Sequence, residues 1–237
     1  MTGEAEAADG LLALLPPEER EALERSGRRV RYPRGARLLQ EGEPGDRVIV
    51  LLRGRAKVSC VGGDGREVVL DFRGPGELVG DLSAIDRGPR SSSVEAVEPV
   101  EALVLAASEL RGLLERRPRL AIGVLEMLTR RFRDADRKRI EFGASDTVGR
   151  AAARIVELAE RYGEWADDGI AIALPISQEE LAGWAAASRA GMAAALRTLR
   201  ELGWIETDRR RITVRDLEAL RARATVQNWM ETERPPN

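Results

Sequence analysis

Apolar and polar positions alternate along this chain in three successive textures. Residues 11 to 25, LLALLPPEEREALER, carry apolar positions at helical spacing with a proline pair, which predicts a short opening helix. From Arg28 to about Val104 the pattern changes to short β-type runs: RVRY, ARLL, RVIVLL, AKVSCV, REVVLDF, SSVEAV and EALVL. Turn signals separate them at Pro33, Gly35, Glu43-Pro44-Gly45-Asp46, Gly62-Gly63-Asp64-Gly65 and Gly74-Pro75-Gly76. Short strands with glycine-rich turns predict an antiparallel sandwich or barrel, and the Gly-Gly-Asp-Gly run is most simply a hairpin.

Helical texture begins after Ser108, a candidate cap, breaks once at Pro118, and continues from about Arg119 to Phe142. Two heptad series interleave on this run, Leu125, Phe132, Arg139 and Leu128, Ala135, Phe142, and together they form one stripe. A helix packed against a copy of itself has this pattern. A helix buried against its own domain has it too, and the dimer seam is the expectation. Gly143-Ala144-Ser145-Asp146 reads as a joint, with Asp146 able to cap a helix from about Thr147 to Tyr162. Ser177-Gln178-Glu179-Glu180 is a capping box for a helix ending near Trp184. A tight turn of small residues follows, then a helix opening at Ser188 and running to about Glu201. Leu202 to Thr207, a turn over Asp208 to Arg211, and Ile212-Thr213-Val214 complete a hairpin. Two helices joined by a tight turn and followed by a hairpin describe a winged helix-turn-helix.

Composition narrows the chemistry. Among 237 residues, 43% are hydrophobic and 33% charged, as in a folded soluble chain. Histidine is absent, which excludes imidazole bases, Ser-His-Asp and Cys-His pairs, and histidine-ligated zinc or haem. Cys60 is the single cysteine, too few for an internal disulfide or a thiolate cluster, and it suits a reducing compartment. The acidic first residues lack a basic region followed by an apolar stretch, and no apolar run approaches the ~18 residues that span a bilayer. A cytoplasmic protein without membrane contact is therefore expected. The net charge of -2 argues against nucleic acid on average, yet residues 188 to 215 hold seven arginines against three acids, a local charge of +4. The run Arg209-Arg210-Arg211 at the wing tip reads either as a solvated turn or, beside a recognition helix, as a phosphate contact.

A β-rich N-terminal half, a long helix and a C-terminal winged helix resemble the Crp/Fnr family of bacterial transcription regulators over nearly the whole chain. The most specific element is Gly76-Glu77-Leu78-Val79-Gly80-Asp81-Leu82-Ser83 followed by Gly88-Pro89-Arg90-Ser91-Ser92-Ser93, which looks like the phosphate-binding cassette of cyclic-nucleotide-binding domains. Gly35, Glu41 to Asp46 and Gly54 match the family's glycine-punctuated β-roll. The resemblance implies an α+β fold: an antiparallel β-roll effector domain with its N-terminal helix over 1–107, a dimerisation helix and hinge over 108–145, and a winged helix over 146–237. It also implies a homodimer that binds double-stranded DNA, engages RNA polymerase and is not an enzyme. No cofactor is required, and a cyclic nucleotide, cAMP or a relative, is the expected effector. A nucleotide-independent regulator with a vestigial pocket is the alternative.

The implied ligand residues are Gly80, Asp81, Leu82, Arg90, Ser91 and Ser92, joined by Ala135 and Asp136 on the long helix. Arg90 would supply a guanidinium fork to the cyclic phosphate, with Ser91 and Ser92 adding donors. Asp81, nine positions earlier, would accept from the ribose 2′-hydroxyl. The family's cAMP receptors carry glutamate where Asp81 stands and a Thr-Ser or Thr-Asn pair where Ala135 and Asp136 stand, so the phosphate site looks kept and the adenine reader altered. In the reading helix, Ser188 and Arg189 are kept, with Arg189 able to fork onto guanine. Ala190 and Ala194 replace the family's glutamate and second arginine, and Ala186 replaces its turn glycine. Arg197, Arg200, Arg209, Arg210 and Arg211 are candidate phosphate contacts. The dimer interface is expected from Leu125, Leu128, Phe132, Ala135, Arg139 and Phe142.

Overall fold

The computed structural model describes residues 10–63, 65, 67–166, 168–172, 176–208 and 211–224. The chain forms two compact units, residues 1–134 and 135–237.

The opening helix is interrupted. α1 (Leu11–Leu14) is a single turn, and α2 (Pro17–Ser26) restarts after Pro16. The cause is local: Pro16 pushes Leu15 into extended backbone, while Pro17 suits a first helical position. The strands β1 (Arg28–Tyr32), β2 (Arg37–Leu39), β3 (Arg47–Arg53), β4 (Ala56–Val61), β5 (Glu67–Arg73), β6 (Leu78–Val79), β7 (Ser93–Ala96) and β8 (Val100–Ala106) follow. They make two antiparallel four-stranded sheets, ordered β1-β8-β3-β6 and β2-β7-β4-β5, the expected β-roll. β4 and β5 pair from Ala56↔Arg73 to Val61↔Glu67, so the glycine-rich run between them is the turn of a hairpin. β1 lies at the edge of its sheet, pairing from Arg28↔Val104 to Tyr32↔Val100.

The continuous apolar run in β3 is explained by burial on both faces. Val48 and Val50 join Leu11, Leu23, Leu78, Leu103 and Leu105 in the core beneath the helices. Ile49 and Leu51 pack with Leu38, Leu39, Val94 and Ala102 in the other core, between the sheets. An alternating pattern would have left one face of β3 in water.

α3 (Asp81–Asp86) is a short helix inside the cassette that the sequence pattern did not suggest. α4 (Ala107–Arg116) begins before Ser108 with Ala106 as its N-cap, so Ser108 does not cap it. β8 runs directly into this helix, and the Ala107 N–H donates to the Asp46 carbonyl at 2.8 Å, satisfying one of the four N–H groups that a helix start leaves without an intrahelical partner. α5 (Pro118–Ala144) is the long helix, with proline in its first position. Its inward stripe is Leu120, Val124 and Met127, all buried in the first core. Leu128 does not sit with the outward stripe: it is half-buried against the same core, about 40° around the helix from Val124. Leu125 and Phe132 remain outward, 57% and 67% exposed on the single chain.

The second unit comprises the end of α5, α6 (Thr147–Tyr162), β9 (Gly163–Ala166), β10 (Gly169–Ile172), α7 (Gln178–Trp184), α8 (Arg189–Glu201), β11 (Ile205–Asp208), β12 (Arg211–Val214) and α9 (Leu217–Ala224). Its sheet is ordered β11-β12-β10-β9. The wing strands reach Asp208 and start again at Arg211, which pair directly, so these two belong to the strands and not to the turn the sequence suggests. Arg209 and Arg210 lie outside the described residues.

Asp146 caps α6 as expected, accepting from the Gly149 N–H at 2.8 Å, and both its oxygens also accept from Arg223 on α9 at 2.6 Å. The backbone bond, and then Arg223, hold its carboxyl below the ordinary aspartate value. A pKa lower in the folded state adds stability that is present above the unfolded value and is lost as pH falls through the folded one. Asp146→Ala should therefore cost about 1 kcal/mol at pH 7. The difference from wild type should shrink in denaturant titrations at about pH 3, near or below the ordinary value. A gap unchanged at acid pH would mean that the charge plays no part.

Ala186, in the turn between α7 and α8, has φ of 48°, a left-handed conformation costly for any residue with a Cβ. Ala186→Gly should raise stability by about 0.5–1 kcal/mol, read as a higher denaturation midpoint, because relief of strain outweighs the added freedom of the unfolded chain.

Candidate functional site

The cassette is assembled around one buried arginine. After β6 the chain turns at Gly80, whose φ of 80° favours glycine, and enters α3. A Cβ on Gly80 would stand 2.5 Å from Nη1 of Arg90, so the position also needs glycine for space. Arg90 is tied by its backbone to the loop before β3: its N–H donates to the Glu43 carbonyl at 2.8 Å, and its own carbonyl accepts from Gly42 at 2.9 Å. Its side chain is only 3% exposed. Nη1 donates to the Ser83 hydroxyl at 2.8 Å and to the Gly80 carbonyl at 3.1 Å, and Nη2 donates to the Arg47 carbonyl at 2.5 Å. The carboxylate that touches it, Asp46 at 3.4 Å, is itself mostly exposed. Burial is the largest influence and lowers the arginine pKa from its ordinary value. The guanidinium is thus held in place by dipoles, with little negative charge drawn in to offset its own. Such a site favours an anion.

Asp81 is buried beside it, but its carboxylate is taken. Arg131 on α5 donates to both oxygens at 3.2 Å and to the Leu78 carbonyl at 2.6 Å. Burial, followed by the neighbouring Arg73, lowers the Arg131 pKa. Sequence reasoning did not single out Arg131, although a signal exists: it stands where the inward stripe of Leu120, Val124 and Met127 would continue, and a charge there needs a buried partner. Ser83 lies in the cassette run but was given no role there, and nothing in the local pattern marks the Arg47 carbonyl. Of the expected ligand residues, Arg90 contacts Gly80, with Asp81 next to it in the chain, while Leu82 and Ser91 are exposed and Ser92 is half-buried. Ala135 and Asp136 are exposed on the part of α5 that belongs to the second unit, as are Arg139 and Phe142. The Phe142 ring lies under the Arg150 guanidinium, 5.4 Å from its centroid.

In the second unit, the Ser188 hydroxyl caps α8 by accepting from Gly191 N–H at 3.0 Å. Arg189, Ala193, Arg197 and Arg200 recur at helical spacing along one side of α8. Arg189 is 77% exposed and donates to the Glu179 carboxylate. Arg200 is less free than expected, because its Nη1 donates to the Thr207 hydroxyl on β11 at 2.8 Å. Arg215, part of the local positive count, is engaged with Asp168 and Glu206 and braces the sheet. Arg197 and Arg211 are exposed. Among the described residues no group of three or more His, Cys, Asp or Glu is placed to hold a metal ion, and no helix is long and apolar enough to cross a membrane.

An antiparallel β-roll with a buried cassette arginine, joined by a long helix to a winged helix, defines a DNA-binding transcription regulator. Comparison with known proteins agrees. The cyclic nucleotide-binding domain family matches residues 29–117, and the Crp-like helix-turn-helix domain family matches residues 149–223. A CRP-like cAMP-activated global transcriptional regulator of Mycobacterium tuberculosis is 32% identical over 218 residues, covering 92% of this chain and 97% of the relative. A cyclic AMP receptor protein of Thermus thermophilus is 30% identical over 207 residues, covering 87% and 92%. Among solved structures, the c-di-GMP responsive global regulator CLP of Xanthomonas campestris shares the fold at a TM-score of 0.75 and 21% identity, over 84% of this chain and 99% of that one. The catabolite activator protein of Thermus thermophilus matches at a TM-score of 0.51 and 29% identity, over 90% and 97%. The chain belongs to the Crp/Fnr family of transcription regulators, which are not enzymes.

Proposed function

We propose that the protein acts as a cytoplasmic homodimer whose hold on double-stranded DNA is set by a cyclic nucleotide, cAMP or a relative, and that it regulates transcription in contact with RNA polymerase. The observation that carries the effector is Arg90: a buried guanidinium, fixed by carbonyls and a hydroxyl and only weakly offset by Asp46, suits the single charge of a cyclic phosphodiester. Gly80 and the flanking Ser91 and Ser92 complete the phosphate site in this reading. Asp81 serves the ribose once a hydroxyl competes with Arg131 for its carboxylate. Ala135 and Asp136 offer an acceptor without a hydroxyl donor, which favours a base edge rich in N–H groups. Leu125, Phe132, Ala135, Arg139 and Phe142 form the dimer seam.

Calorimetric titration of the purified protein with cAMP, cGMP and cyclic dinucleotides, with and without a duplex it has selected from random sequence, tests the effector. Saturable heat with one cyclic nucleotide and tighter DNA binding in its presence are expected. Flat titrations with full DNA binding would leave the nucleotide-independent reading.

On DNA, Arg189 is assigned to a guanine edge, and Arg197 and Arg211 to phosphates. Neutralising Arg197 and Arg211 should weaken selected and scrambled duplexes alike, and should reduce the slope of log affinity against log salt by about one unit per lost contact. A change confined to the selected duplex would move these arginines to base readout.

A further inference from the structure

We propose that Glu179 is a positioning residue for sequence readout, holding the Arg189 guanidinium in the pose from which it reads a base. This rests on the assignment of Arg189 to a guanine edge. Arg189 is the first residue of α8, and its Nη2 donates to Oε1 of Glu179, in the first turn of the preceding helix α7. The pair therefore bridges the two helices of the reading motif on its exposed side, with Arg189 77% and Glu179 64% exposed.

Three features make this bridge consequential. First, Ala190, Gly191, Met192, Ala193, Ala194 and Ala195 follow Arg189, and none has a side chain that donates or accepts a strong hydrogen bond. Readout by the opening turns of α8 thus depends on one long, flexible side chain. Second, such a side chain is rich in rotamers, and a carboxylate anchor removes part of that freedom before DNA arrives. An anchor on Nη2 still leaves hydrogens on Nη1 and Nη2 to face the O6 and N7 acceptors of guanine. Third, the anchor is itself fixed. Ser177 accepts from the Glu180 N–H at 3.1 Å, and the Glu180 carboxylate accepts from the Ser177 N–H at 2.8 Å, so the turn that carries Glu179 is locked by a capping box. An acid in the first turn of α7 also gains from the helix dipole. That role alone predicts no effect on base preference. A carboxylate near DNA raises the electrostatic cost of binding any duplex, so the proposal predicts a separation between affinity and selectivity.

The test uses the full-length protein with Glu179→Ala, Arg189→Ala and the double variant. Each is titrated at fixed salt against a duplex selected from random sequence by the wild type and against a scrambled duplex. Both residues are exposed, and circular dichroism and denaturation midpoints verify that every variant folds. Glu179→Ala should bind the scrambled duplex a fewfold more tightly, yet lower the selected-to-scrambled ratio by about tenfold, the low end of what one base contact contributes. Glu179→Gln, which keeps an acceptor without the charge, should retain part of the ratio. In the Arg189→Ala background, loss of Glu179 should leave the ratio unchanged. The proposal is overturned if Glu179→Ala shifts both duplexes equally. It is also overturned if the ratio falls as far without Arg189 as with it, because Glu179 would then read a base directly. If Arg189→Ala leaves the ratio intact, it is the base-reading assignment itself that fails.

Discussion

Arg90→Ala is expected to lower cyclic nucleotide affinity at least tenfold and to destabilise the first unit as well. Both effects come from one set of bonds. A hydrogen bond to a charged group is worth roughly 1.5–3 kcal/mol, so losing even one phosphate contact gives the tenfold change. The same side chain serves the carbonyls of Gly80 and Arg47 and the Ser83 hydroxyl. The Gly80 carbonyl keeps the Ala84 N–H and the Ser83 hydroxyl as donors, so the cost falls on the lost charge-assisted bonds, about 1–3 kcal/mol for any group left buried without a partner. Arg90→Lys separates the two roles: it restores the charge without the planar fork, so it should recover nucleotide binding only in part. Calorimetry and denaturation midpoints on the three proteins check this. Undiminished nucleotide binding by Arg90→Ala would move the anion site elsewhere.

The second large effect concerns assembly. Phe132→Glu should convert a dimer into a monomer at micromolar concentration, measured by sedimentation equilibrium. On the single chain, Ile122, Leu125 and Phe132 leave more than half of their surface in water, a costly arrangement unless a second copy covers them. A carboxylate at Phe132 would be buried without a partner in such a seam. Leu128, although part of the heptad pattern, is a poor probe, because it packs against the core of its own unit and a charge there would damage the fold itself. A wild-type protein that sediments as a monomer would remove the seam altogether.

The sequence was most legible where a pattern has one physical cause. The apolar run of β3 reads as a strand, the capping box of α7 names both its partners, and Asp146 caps the helix it precedes. Short elements were not legible. β9 and β10 are four residues each and α3 is six, too brief for any periodicity to accumulate. At the candidate site, Gly80, Asp81 and Arg90 were readable because the cassette has a recognisable order. Their partners were not: Ser83 and the Arg47 carbonyl contribute through the path of the chain, and Arg131 reaches Asp81 from 50 positions away. Arg200 illustrates the reverse case, a residue whose charge suggested DNA and whose nearest partner is a wing threonine.

The pairing of β1 with β8 bears on how the chain is made. Arg28 cannot meet Val104 until 76 further residues have been synthesised, roughly 4–15 s at ribosomal rates. During that interval a strand-forming segment waits with its hydrogen-bonding edge unmet, a hazard for pairing with other nascent chains. The segment is RRVRY, three arginines around one valine, and as an edge strand it needs little apolar surface once folded. Like charges of this density would keep waiting copies apart, which is the placing that gatekeeper residues have beside strands prone to aggregate. Replacing Arg28, Arg29 and Arg31 with threonine should therefore harm the yield of soluble protein during synthesis far more than the stability of the molecule once folded.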